Sequence, residues 1–183
     1  MKPYLIYGTL IAGANAVVTL VLYLAGLHSD PAKLSTANLI SLVTALAIGV
    51  SLMIVGVRTK RNLTPPTDDF TYGMALGVAV VVSLFATIFS VAFQFVYQSF
   101  INPGFADVAI QAQIAAMQAK GVPSENIEKA ETFMRMMTKP AVQAITGLIF
   151  GIVINVIISL IIAAFMRRKA VVDPTTPPPL ATT

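Results

Sequence analysis

Side chains able to do catalytic or metal chemistry are scarce in this sequence, and they lie outside its apolar runs. The chain has one histidine, His28, and no cysteine, so it offers neither a thiolate nucleophile nor a zinc-binding set. His28 and Asp30, joined by carboxylates from a later loop, would suit a membrane enzyme acting on lipid. We interpret His28 instead as a structural or solvated residue, and we expect no catalytic, cofactor-binding or metal site.

Three neutral polar residues within the apolar runs are the remaining candidates for a functional site. Asn15 lies near the middle of the first run, Asn155 near the middle of the fourth, and Gln94 in the third. The two asparagines would lie at similar depth on helices of opposite direction, so we expect their amides to hydrogen-bond across the bundle. This layer would either hold the helices together or line a polar path. We expect Gln94 to bond to the loop that follows its run.

Small residues at four-residue spacing mark faces on which helices can approach closely. Gly73 and Gly77 form a G-x-x-x-G motif in the third run, as do Gly147 and Gly151 in the fourth. Such packing matters in a bilayer, where no hydrophobic force drives helices together. We expect these glycines to pack within the chain, with dimerisation as the alternative. The third run also carries aromatic residues at four-residue spacing, which indicate a packing or lipid-facing ridge: Phe85, Phe89, Phe93 and Tyr97.

The elements that position these residues are predicted to be membrane-spanning helices. Hydrophobic residues make up 56% of the 183-residue chain and charged residues 11%, whereas soluble domains carry roughly 25% charged residues. This composition excludes an ordinary water-soluble enzyme, a disordered chain and a coiled coil. Four uncharged runs reach the roughly 20 residues that a spanning helix needs and are too long for barrel strands. They cover about residues 4–27, 39–57, 72–100 and 140–166, which predicts an all-α membrane protein with four transmembrane helices.

The basic residues predict how these helices are oriented. They are concentrated after the second run, at residues 58–61, and after the fourth, at residues 167–169, whereas the long loop 101–139 mixes four basic residues with four acidic ones. By the positive-inside rule, both termini and the 58–71 loop should be cytoplasmic. The net charge of +4 therefore reports topology, and it offers no clustered basic face for nucleic acid.

The loop between the third and fourth runs is predicted to have structure of its own. Pro103 disfavours helix at Asn102, and residues 105–137 contain two helical segments separated by Gly121-Val122-Pro123. Ser124 is the expected N-cap of the second segment, whose apolar stripe consists of Ile127, Ala130, Met134 and Met137. We expect an extracytoplasmic helical hairpin that either caps the bundle or offers a docking surface.

The remaining segment is the end of the chain. Residues 170–183 are rich in proline and threonine and show no apolar periodicity, which predicts a disordered cytoplasmic tail. Residues 1–169 are then expected to form a single transmembrane domain.

The order of these features resembles that of a known family. The four runs, the stretch ending in Ile101-Asn102-Pro103, and the connection Gly121-Val122-Pro123-Ser124-Glu125 are similar to bacterial membrane proteins grouped as domain of unknown function 4199. The resemblance covers about residues 1–169. It implies an inner-membrane protein of this topology, and it implies neither an activity nor a site residue.

Together these observations favour a non-enzymatic, multi-pass protein of the bacterial inner membrane. We expect an accessory or interaction protein that sits in the lipid bilayer and binds a membrane-protein partner through its outer hairpin, with self-association as a further expectation. The alternative is a small oligomeric transporter or channel for a neutral or polar solute. In that case Asn15, Asn155 or Gln94 would line the path.

Overall fold

The computed structural model describes residues 6–170, which form six helices and no strand longer than an isolated bridge. Four of the helices are long and apolar enough to span a membrane, which confirms the all-α fold class. They are α1 (Ile6–Leu24), α2 (Leu34–Asn62), α3 (Tyr72–Val96) and α6 (Pro140–Met166). Between α3 and α6 lie α4 (Phe105–Ala119) and α5 (Ser124–Met137). The predicted tail, apart from Ala170, lies outside the described residues.

The second helix is longer than its apolar run. We expected a span of about residues 39–57, but α2 begins at Leu34 and continues through Arg58 and Arg61 to Asn62. The apolar run marks only the part that matches the hydrocarbon core, whereas the helix continues while its backbone hydrogen bonds can form. Its final turn therefore carries basic side chains, which interact favourably with the negative end of the helix dipole.

The ends of α3 follow from side chains and a proline. The Thr71 hydroxyl accepts a hydrogen bond from the Met74 N–H at 3.3 Å and caps the start of the helix. At its other end α3 continues into a π-helical turn, Tyr97–Ile101, which closes where the Asn102 N–H donates to the Tyr97 carbonyl at 2.7 Å. Pro103 prevents helix from continuing through Asn102.

Two further helix starts test the sequence predictions. Ser124 was expected to be the N-cap of α5, but it is the first helical residue and Pro123 occupies the cap position. Pro140 is at the start of α6, as expected. A proline is well tolerated there because its missing N–H would have no partner within the helix.

The third helix lies at the centre of the bundle and contacts α1, α2 and α6. Its Ala75, Ala79 and Val82 are fully buried, because small side chains let the neighbouring helices approach. Gly8 of α1 packs directly against α3, since an added Cβ there would lie 2.5 Å from the carbonyl oxygen of Val82.

The two short helices form a hairpin that touches the bundle through α2 and α6. Ile110 anchors α4 in a buried position, whereas α5 has no buried residue. The predicted stripe of α5 is half-buried. We call this end of the molecule the hairpin end.

The opposite end, which we call the basic end, is fastened by a contact that the sequence did not predict. Phe70 and Arg168 exchange two backbone hydrogen bonds of 2.9 Å. The Arg168 guanidinium also donates to the carbonyls of Thr64 and Pro65 at 3.0 and 2.9 Å, and the Ala170 N–H donates to Asp69 at 2.7 Å. The basic segment after α6 therefore holds the 63–71 loop in place.

Candidate functional site

A row of small and polar residues runs along the contact between α3 and α6. On each helix the spacing is three or four residues, which places them on one face. We call this row the polar seam. Its members are Ser83, Thr87, Ser90 and Gln94 of α3, Gln98 of the π-helical turn that continues α3, and Gln143, Gly147, Gly151, Asn155 and Ser159 of α6. No residue of α3 or α6 is acidic, basic or histidine, so the seam is polar without being charged.

The half of the seam toward the basic end is closed. The Asn155 amide donates to the Thr87 hydroxyl at 2.9 Å, and Ser159, which is fully buried, donates to the Asn155 carbonyl at 2.7 Å. An added Cβ on Gly151 would lie 2.9 Å from the Thr87 methyl carbon. Hydrogen bonding and close helix approach bring α3 and α6 into direct contact here, although Thr87, Gly151 and Asn155 also line a cavity on one side of this contact.

The half toward the hairpin end is open and contains a cavity of about 260 Å³. We call it the glutamine cavity because Gln94, Gln98 and Gln143 line it. The Gln98 amide donates to Gln143 across the two helices. Gln98 is only 7% exposed, and among residues 6–170 its Oε1 is buried without a hydrogen-bond partner.

A second cavity of similar volume, about 260 Å³, lies among α1, α2, α3 and α6 and opens to the surface at Leu42, Leu46 and Ile154. We call it the central cavity. Its wall is mainly apolar, with contributions such as Leu46, Met53 and Ile158, and Asn15 and Asn155 also line it. Both cavities are bordered by Ser90, Val91 and Gly147, so they adjoin.

The two asparagines do not form the hydrogen bond expected from the sequence. Although both line the central cavity, the Asn15 amide donates to the Ile11 carbonyl of its own helix at 3.0 Å, and the Asn155 amide is bonded to Thr87. The expectation fails because α3 lies between α1 and α6. Gln94 lines the glutamine cavity, and Gln98, one turn later, makes the bond between helices.

A buried aromatic and polar cluster closes the hairpin end beside the glutamine cavity. The Tyr97 hydroxyl lies 2.7 Å from Nδ1 of His28 and accepts a hydrogen bond from the Asn102 amide at 3.0 Å. Because an amide nitrogen can only donate, the tyrosine proton remains available to Nδ1. Tyr97 is completely buried, with Phe105 and His28 rings against it at centroid distances of 5.9 Å.

The electrostatics of this cluster favour a neutral histidine. Burial lowers the pKa of His28 below its usual value, because the charged imidazolium would lose its hydration. Asp30 does not serve as its partner, since that carboxylate accepts from the Ala32 N–H and pairs with Lys33. The arrangement positions the π-helical turn, Asn102 and the start of α4 against the loop after α1, with Pro103 exposed at the bend.

The two G-x-x-x-G motifs have different environments. Gly151 packs tightly against Thr87, and Gly147 would place a Cβ at an ordinary 3.7 Å from Val91. Gly73 and Gly77 are exposed, and no atom of the described residues outside the local helix comes closer than 4.0 Å to their Cβ positions. The expectation of packing within the chain is therefore wrong for Gly73 and Gly77, and dimerisation through them stays a prediction.

Several important residues were not recognised from the sequence. Tyr97 was interpreted only as the end of an aromatic ridge, and Gln98 and Gln143 were not singled out. The repeat of small or polar residues every four positions from Gln143 to Ser159 was a usable signal for a helix contact. No local signal in the sequence identified the Phe70–Arg168 pairing. Among the described residues, no three His, Cys, Asp or Glu side chains are placed to hold a metal ion.

Comparison with known proteins identifies a family. The model of the family described as "Protein of unknown function (DUF4199)" matches residues 6–168. No curated protein and no solved structure gives a significant match.

Proposed function

This chain belongs to the DUF4199 family, and we propose that it acts as a non-catalytic accessory protein of the bacterial inner membrane. In this proposal it binds a partner membrane protein through the α4–α5 hairpin. The supporting observation is that α5, which is not one of the four apolar spans, has no buried residue and yet carries large apolar side chains.

The apolar side chains form a specific patch on α5. Phe133 is 57% exposed and Met136 is 47% exposed, and their three-residue spacing places them on one helix face. The Glu125–Lys129 ion pair, 2.6 Å long, lies one turn earlier on the same helix. An apolar centre with a charged rim is the usual composition of a protein interface, and the flexible methionine adapts to a partner's surface.

Ion pairs on the opposite face of α5 orient the apolar patch away from α4. Arg135 pairs with Glu131 at 2.9 Å and with Asp107 of α4 at 3.2 Å, and both carboxylates raise the pKa of the guanidinium. These contacts tie α5 to α4 in one rotational setting. They leave Phe133 and Met136 on the uncovered side.

The test is quantitative co-purification of the full chain from native membranes into lipid nanodiscs. We expect one membrane protein to be recovered in fixed stoichiometry, and its recovery to fall at least severalfold with Phe133→Ser/Met136→Ser. The matched control is Glu128→Ser/Thr132→Ser, which alters exposed polar positions of the same helix and should keep the partner. A stoichiometric partner that is indifferent to the patch, or no such partner, would contradict the proposal.

The proposed topology places the hairpin outside and both termini in the cytoplasm. The basic end carries Arg58, Lys60 and Arg61 together with Arg167–Lys169, as the positive-inside rule requires of the cytoplasmic side. Because the chain has no cysteine, single cysteines at Thr67 and Lys120 can be labelled without background. An impermeant thiol reagent on intact cells should label Lys120→Cys only, and the reverse pattern would refute this orientation.

A second candidate function is small-solute transport by an oligomer. The two adjoining cavities along the polar seam favour it, because together they occupy much of the bundle's depth. The fully buried Ser159 and Ala163, which lie beyond the central cavity toward the basic end, oppose it, since a path would have to open there. A flux assay in proteoliposomes with neutral polar solutes would support this candidate if Thr87→Leu abolished a measured flux.

A further inference from the structure

The hairpin-end half of the polar seam contains an acceptor that the protein itself does not satisfy. Gln98 Oε1 is buried, and among residues 6–170 it has no hydrogen-bond partner. Leaving a buried acceptor unpaired is destabilising, because the group has lost its hydrogen bond to water without gaining another. The nearby Nε2 is already engaged with Gln143. Gln98 also lines the glutamine cavity, so its oxygen can accept a hydrogen bond from a molecule bound there once the side-chain amide turns toward the cavity.

The cavities define what kind of molecule could supply that donor. Within residues 6–170, no acidic, basic or histidine side chain lines the glutamine cavity or the central cavity, so a charged group would be desolvated there without compensation. The glutamine cavity is polar on one side and lies where α3 ends and α6 begins. The central cavity continues from it into the apolar middle of the bundle, past Gly147.

These observations predict the orientation of a bound ligand as well as its polarity. A polar head beside Gln98 and an apolar chain in the central cavity would lie parallel to the membrane lipids, with the head near the end of the span. Each cavity has a volume of about 260 Å³, and the two together are in the range of sites for small ligands, roughly 300–1,000 Å³.

We propose that the adjoining glutamine and central cavities bind a neutral, single-chain membrane lipid whose hydroxyl-bearing head donates a hydrogen bond to Gln98 Oε1. A glycerol monoester has this chemistry. The site is independent of the hairpin patch, since the residues that line it come from the four long helices and the π-helical turn, and none belongs to α4 or α5.

The experiment uses tryptophan fluorescence, because the chain has no tryptophan of its own. Leu46→Trp places a reporter at the central cavity, and Phe150→Trp places a control on α6, where that side chain is exposed and outside both cavities. Each protein is reconstituted in phosphatidylcholine nanodiscs. A monoacylglycerol with a brominated chain is then titrated in, and the corresponding brominated methyl ester serves as a probe without a donor.

We expect the monoacylglycerol to quench the Leu46→Trp reporter at a mole fraction roughly five- to tenfold lower than it needs to quench the Phe150→Trp control. This ratio is the gain in affinity that about one hydrogen bond provides. The methyl ester should quench both reporters equally. Adding Gln98→Met should move the reporter's curve to that of the control, whereas Gln113→Met, at an exposed position of α4, should leave it unchanged.

The outcomes against the proposal are equally distinct. Equal quenching of both reporters by monoacylglycerol would mean that water or bulk lipid occupies the cavities, and it would overturn the proposal. The same holds if the methyl ester and the monoacylglycerol bind alike. This second comparison uses the native Gln98, so it decides the question even if Gln98→Met does not fold.

Discussion

The two halves of the polar seam are built from similar residues but differ in how they close. Toward the basic end, Asn155 and Thr87 pair directly, and Gly151 lets the two helices meet. Toward the hairpin end, Gly147 offers the same small surface, but the helices enclose a cavity and Gln98 keeps an unpaired oxygen. The comparison teaches that a glycine permits a close helix contact, whereas the pairing of the polar side chains around it determines whether the contact forms.

The largest expected effect separates the two glycines of one motif. Gly151→Ala would place a methyl group 2.9 Å from Thr87, and the resulting overpacking should lower the free energy of unfolding by about 1–3 kcal/mol. Gly147→Ala meets only an ordinary contact at 3.7 Å and should change stability far less. Reversible denaturant unfolding in mixed micelles measures both variants. Equal losses would remove the distinction between a closed and an open half.

The next effect concerns the cluster that closes the hairpin end. Tyr97→Phe keeps the buried ring but removes the hydroxyl that serves both His28 and Asn102. Two buried polar groups then lose a partner, so we expect a destabilisation of about 1–3 kcal/mol. The same unfolding experiment provides the measurement, with Tyr23→Phe as the control on a neighbouring ring. A neutral result would show that the cluster is held by ring packing alone.

A pH dependence should accompany this cluster. Since burial lowers the pKa of His28, the unfolded chain binds a proton that the folded chain does not bind between the lowered pKa and the usual value of 6.5. Stability should therefore be complete above about pH 6.5 and fall as the pH decreases through that window. The melting temperature at pH 7.5 and at pH 5.5, about one unit to either side, measures the effect. His28→Gln should flatten the profile, and an unchanged slope would assign the dependence to other groups.

The smallest expected effect is at the other glycine motif. Gly77→Ala meets open space, so within one chain it should be neutral or stabilise the helix by roughly 0.5 kcal/mol. Gly77 and Gly151 are each the second glycine of a G-x-x-x-G motif, but only Gly151 packs against another helix. Comparing the two alanine variants therefore separates the effect of the motif from the effect of the helix contact. If the chain dimerises through Gly73 and Gly77, Gly77→Leu should dissociate the dimer in single-molecule photobleaching. An unchanged oligomeric state would reject that interface.

The sequence predicted the helices better than it predicted their contacts. Continuous apolar runs identify spanning helices because a bilayer requires each backbone group to be bonded within its own helix. Whether Gly73 or Gly151 faces a neighbouring helix depends on the positions of the other helices. The two G-x-x-x-G motifs cannot be distinguished from the sequence alone. The expected Asn15–Asn155 hydrogen bond failed for the same reason. The sequence predicted how deep each residue lies along its helix, but it did not predict which helices are neighbours.

The candidate site was predictable only in part. Gln94 and Asn155 stood out as polar residues within apolar runs, and they do lie on the polar seam. The role of Gln98 depends on Gln143, which is 45 residues away in sequence, and the cavity depends on how residues of α3 and α6 are placed relative to each other. Tyr97 similarly acquires its role only when the loop after α1 brings His28 to it.

The most direct test of an open and a closed half is cysteine accessibility along the seam. The chain has no cysteine, so single substitutions at Gln94, Gln143, Ser83 and Ser159 can each be treated with a small thiol reagent in nanodiscs. We predict that Gln94→Cys and Gln143→Cys react and are protected by added monoacylglycerol. Ser83 and Ser159 are buried and line neither the glutamine cavity nor the central cavity, so Ser83→Cys and Ser159→Cys should stay unreactive until the protein is unfolded. Reaction at all four positions would contradict the closed half and indicate a continuous polar path through the bundle.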